Sequence, residues 1–138
     1  MRTVQTLSSH DAQQLVSTVL AELTARGAKG VVAVVDQHGE LLAFVRMDGA
    51  PLPSTTIAIN KAYSAARTRK PTRDIGKKVR SADQGFDIAY YGDSRIVGWG
   101  GGMPVMVDGV CVGAVSVSGL TEDEDAEIAA HAIAKLLA

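Results

Sequence analysis

Asp108-Gly109 stands between two apolar runs, Val105-Met106-Val107 and Val110 to Ser118. An Asp-Gly pair in that setting reverses the chain in a two-residue primed turn, with both central residues at φ > 0, because that twist matches the twist of paired strands. The chain must therefore contain an antiparallel hairpin here. Its longer strand is apolar on both faces, which predicts a central position covered from both sides. A second hairpin is predicted earlier, where the β-branched run Val31 to Val35 leads through Asp36-Gln37-His38-Gly39-Glu40 into Leu41 to Met47. Strict alternation would put Leu42, Phe44, Arg46 and Asp48 on one face and Leu41, Ala43, Val45 and Met47 on the other.

Helical patterns surround the hairpins. Ser8 and Asp11 form a capping box, and Ala12, Leu15, Val16, Val19, Leu20 and Leu23 recur at helical spacing until Gly27. Pro51 and Pro53 bar a continued central strand, and Ser54 reads as the N-cap of a helix whose narrow face is Ala58, Ala62 and Ala65. Lys61 falls at the edge of that face, half in and half out. Lys70-Pro71 ends this helix, Thr72 to Ser81 forms a short basic one, and Gln84 to Ile96 reads mostly as loop. Thr121 with Glu124 caps a closing helix lined by Ile128, Ala129, Ala132, Ile133 and Leu136. The sum is one α+β domain over residues 1–138, an antiparallel sheet flanked by helices.

A formal net charge of -1 leaves no basic field of the kind that nucleic acid or an anionic membrane would require. No stretch has the length and apolarity of a membrane span, and no leader pattern precedes Ser8, so a cytoplasmic location is expected. The single Cys111 lies in an apolar run and reads as a core residue. The three histidines are scattered without metal-ligand spacing, so no metal site is expected. His38 is a turn residue and His131 lies on the polar face of the last helix. Gly98 to Pro104 lacks the Gly-Lys-Ser/Thr ending of a phosphate loop and leads into a strand. It is either a glycine bulge or a bare backbone lining a cavity.

Arg46, Asp48 and Lys61 form the polar constellation with the most chemistry. One reading is an ion-pair cluster joining strand, loop and helix. The other is an anchor for a carboxylate, with Arg46 gripping, Asp48 orienting and Lys61 serving as a second cation or proton donor. All three are expected to converge near the Gly100-Gly101-Gly102 backbone at one pocket, with Ser54, Asn60, Met103 and Ser118 as further ligand-binding residues.

Several of these segments carry a resemblance. Val34-Val35-Asp36 with Gly39, Arg46-Met47-Asp48-Gly49-Ala50, Ser54, Ala58, Asn60-Lys61-Ala62, Gly101-Gly102-Met103-Pro104, Gly113-Ala114 and Val117-Ser118-Gly119 with Asp125 resemble the GlcG/HbpS family. That family includes the C-terminal domain of PduO-type proteins. The resemblance implies a profilin-like fold of about five strands, homo-oligomers with helices packed between subunits, and a small-molecule ligand. Some members bind haem or related tetrapyrroles, which makes His10, near the first helix, the expected cofactor-binding residue. Where the family reads Gly-Val-Ser-Gly-Gly, this chain has Ser116-Val117-Ser118-Gly119-Leu120, a change expected to reshape the ligand site. Two functions follow as expectations. One is a binding module for haem or another tetrapyrrole; the other is a small cofactor-independent isomerase, lyase or hydrolase acting on an oxygenated carboxylate.

Overall fold

A computed structural model describes residues 1–138. Both hairpins form where the sequence places them. The first joins β1 (Val31–Asp36) to β2 (Leu41–Arg46), and the second joins β3 (Gly102–Val107) to β4 (Val110–Ser118). Asp108 and Gly109 turn with φ of 49° and 78°, as the primed turn demands. The two long inner strands then pair with each other, Val31 opposite Ser118 through Asp36 opposite Gly113, giving one antiparallel sheet in the order β2-β1-β4-β3. The sheet has four strands rather than about five. The stretch Gln84 to Ile96 contributes only a 3₁₀ turn at Ile88–Tyr91, and the chain from Gly98 to Gly101 stays out of the sheet.

Helices cover both faces. α1 (Ser9–Ala25) and α4 (Glu122–Leu137) share one face, where Leu15, Val19, Leu23 and Ile128 pack without exposure against Val32, Val34, Val115 and Val117. Each such side chain contributes roughly 1.5–3 kcal/mol of burial free energy. α2 (Ser54–Thr68) covers the other face through Ala58, Ala62, Ala65 and Ala66, over Val31, Ala33, Val35 and Ala114. Small side chains let its backbone approach closely, and Ser116 Oγ donates to the Ala58 carbonyl at 2.5 Å. Cys111 is buried beneath the same helix. α3 (Thr72–Val79) packs beside β3, and no helix is long and apolar enough to cross a membrane.

Two local expectations need correction. A bulge between Val34 and Val35 pairs Val34 with Ala43 but Val35 with Leu41, so the extra residue Leu42 joins Ala43 and Val45 on the α1 side. Strict alternation therefore breaks at Leu42. Ser54 is the first helical residue rather than the cap, because Pro53 already has helical angles (φ -59°, ψ -26°) and the turn closes through Ser54 N–H to the Pro51 carbonyl. Its hydroxyl is thereby released from capping.

Candidate functional site

Lys61 lies two turns into α2 and is only 3% exposed, so the helix edge is fully covered rather than half open. A buried ammonium needs partners. Nζ donates to the Val117 carbonyl and to Asp125 Oδ2, each at 3.1 Å, while Asp125 Oδ1 accepts from Leu120 N–H at 3.1 Å. Burial pushes the Asp125 carboxyl above the usual range, and the Lys61 charge works against that rise.

The glycine run converges here as expected. Gly101 has φ of +128°, and a Cβ on it would lie 2.5 Å from the Val117 oxygen and 2.8 Å from Lys61 Nζ. A Cβ on Gly102 would lie 2.4 Å from the Lys61 carbonyl oxygen, and its N–H donates to Thr72 Oγ1. Gly100 N–H donates to Glu122 Oε1 at 2.8 Å. The bare backbone is what lets the β3 entry lie against the ion pair.

Above the pair opens a cleft of about 340 Å³, walled by Ile57, Trp99 and Leu120 with Ser54 and Ser118 facing it. Leu120, one of the two departures from the family pattern, is thus a cleft residue. Ser116, the other, is buried under α2 and only ties strand to helix.

Arg46 and Asp48 do not join this cluster. Both are exposed and neither makes a hydrogen bond or ion pair, whereas Lys61 takes its counter-charge from Asp125. The sheet order supplies the reason. Arg46 is opposite Val31, which is opposite Ser118, so Arg46 sits on the edge strand two strand spacings, about 10 Å, from the cleft strand. α2 lies across β1, β4 and β3 and meets β2 only at its margin. Neither Asn60, half-buried on α2, nor Met103, which pairs with Val115 and packs toward the α1 side, lines the cleft, and Gly100, Gly101 and Gly102, expected as ligand-binding, lie against Glu122 and Lys61 and do not line it either. Asp125 is the partner that reasoning from strand faces missed. Its signal was a carboxylate on the apolar stripe of α4, three and four residues before Ile128 and Ala129.

His10 lies elsewhere. It is exposed at the start of α1, with Nε2 2.9 Å from the Gln14 side-chain nitrogen. It lines a groove of about 460 Å³ whose other wall carries Lys135 and Leu136 of α4. Ten residues of α4 separate Asp125 from Lys135, about 15 Å along the helix.

Residues 7–134 match the family described as haem degrading protein HbpS-like. The chain belongs to the HbpS-like family. Protein GlcG of Escherichia coli K12 is 35% identical over 118 residues, covering 86% of this chain and 85% of GlcG. Among solved structures, the Klebsiella pneumoniae protein ORFY superposes with a TM-score of 0.94 at 33% identity, covering 100% of this chain and 95% of ORFY. A crystal structure of a PduOC complex with haem superposes with a TM-score of 0.86 at 29% identity and 94% of both chains. The HbpS-like architecture is thus matched from end to end, with four strands where about five were expected.

Proposed function

We propose that this protein is a small-molecule-binding module whose ligand is haem or a related tetrapyrrole, held at the His10 groove. The observation that carries the reading is the end-to-end likeness to PduOC, a protein solved as a haem complex. The residues at the groove suit such a ligand. His10 offers an exposed imidazole bonded only to the Gln14 amide, and Lys135 offers an ammonium for a propionate. A haem bound there would bring an iron centre, which the His10 imidazole would ligate.

The groove is open on one side and Leu136 is its only large apolar residue, so a planar ring needs a second apolar cover. A second protomer packed through its α1–α4 face supplies that cover, and the same packing makes the protein a homo-oligomer. Haemin titration followed in the Soret band tests the reading. A saturable shift is expected with the wild type, and His10→Ala should weaken it and change the band position. No saturable shift in the wild type would end the haem assignment; an unchanged spectrum in His10→Ala would move the ligand away from this groove.

A further inference from the structure

The cleft over the Lys61–Asp125 pair has no part in the haem reading, yet two hydroxyls that face it, those of Ser54 and Ser118, make no hydrogen bond within the chain. Of the buried hydroxyls elsewhere, Ser64 Oγ donates to the Arg95 carbonyl and accepts from Val97 N–H, Thr72 Oγ1 accepts from Gly102 N–H, and Ser116 Oγ donates to Ala58, while Thr55 Oγ1 has no partner and lies outside the cleft lining. Ser54 and Ser118 are 5% and 4% exposed, and neither hydroxyl has a partner within the chain. Both face the cleft. Both hydroxyl oxygens reach the solvent of the cleft, so a ligand that displaces this water must return the hydrogen bonds the hydroxyls give up, which favours a ligand with donors and acceptors of its own. Lys61 adds to this, since two of its three N–H groups serve Val117 and Asp125 and one remains.

Charge selects the ligand class. The lining holds one cation, Lys61, and two carboxylates, Asp125 and Glu122, and the cation is already paired. A carboxylate ligand would find no free positive charge and would face a negative surplus. The walls are apolar and include Trp99, which is 58% exposed. A volume of about 340 Å³ suits a molecule at the small end of the usual range. We infer that this cleft binds a small uncharged polyhydroxylated molecule, which exchanges hydrogen bonds with Ser54, Ser118 and the remaining Lys61 N–H and lays its C–H face on Trp99. The site is separate from the haem groove and stands or falls independently of it.

Trp99 is the only tryptophan, so its emission reports on the cleft directly. The experiment titrates erythritol, xylose and myo-inositol, with erythronate as the matched anion, and follows both Trp99 emission and saturation-transfer NMR of the ligand protons. At least one neutral compound should bind saturably and erythronate should not. Ser54→Ala and Ser118→Ala, each checked for native circular dichroism, should weaken binding about tenfold, the loss of one hydrogen bond. His10→Ala should leave it unchanged. Absence of binding by all three neutral compounds in both readouts, unchanged binding in both serine variants, or preference for erythronate would each overturn the inference.

Discussion

Lys61 and Asp125 are each worth little to stability as a pair and a great deal if separated. Desolvating two charges nearly offsets their attraction, but a lone charge left at 3% exposure has no compensation. Asp125→Ala is therefore expected to lower unfolding free energy by about 3–5 kcal/mol, and the double variant Lys61→Met with Asp125→Leu should recover most of it. Urea denaturation of the wild type, Lys61→Met, Asp125→Leu and the double variant measures the coupling; additive losses would mean that the pair does not act as a unit. A second acid behaves in the opposite sense with pH. Arg95 and the Tyr63 hydroxyl hold Asp93 well below the usual carboxylate range, the Arg95 hydrogen bond being the larger cause. A depressed folded value adds stability above the unfolded value of about 4, and that stability is lost as pH falls through the folded value. For Asp125 the raised value reverses the sign, and its ionisation opposes folding as pH rises above about 4. Stability measured by urea titration from pH 6 down to pH 2 should thus fall more steeply in the wild type than in Asp93→Asn. Equal slopes would show that the Tyr63–Asp93–Arg95 cluster contributes nothing to folding.

The second hairpin governs the sheet at the element scale, because its turn sets the register that brings Gly101 and Gly102 onto Lys61. Gly109 has φ of +78°, and a Cβ added there would have no atom within 4 Å, so a substitution meets strain alone and no steric obstacle. Gly109→Val is expected to reduce stability by about 1–3 kcal/mol through the backbone, with the native spectrum retained. A neutral result would place the strain elsewhere in the turn. Gly101 differs, since a Cβ there meets the Val117 oxygen and Lys61 Nζ. Gly101→Ala should both lower stability and disturb the cleft, which thermal melts and Trp99 emission would report together.

For the whole molecule, the expectation is a homo-oligomer assembled through the α1–α4 face. Sedimentation at micromolar concentration should show a species larger than the monomer of 14.4 kDa, and a charge placed at the rim, Leu136→Glu, should shift it toward monomer. A wild type that sediments only as monomer would remove the second protomer from the haem groove and leave the ring without its cover. Leu137→Glu, at the exposed end of α4, serves as a control for a general loss of helix packing.

Local chemistry written along the chain determined the elements. The Asp108-Gly109 turn, the Ser8 and Thr121 caps, the alanine face of α2 and the prolines ahead of it act within a few residues, and their effects were legible without the fold. The convergence of Lys61 with the glycine run was legible too, because the small face of α2 must meet the sheet. The partner of Lys61 was not, since it depends on which strands become neighbours. Pairing of β1 with β4 placed β2 at the edge, carried Arg46 and Asp48 out to solvent, and left the ammonium to be met by a carboxylate 64 residues further on. Sequence sets periods and turns through near neighbours; an ion pair across that distance is decided by how the sheet is ordered, which only the tertiary packing settles.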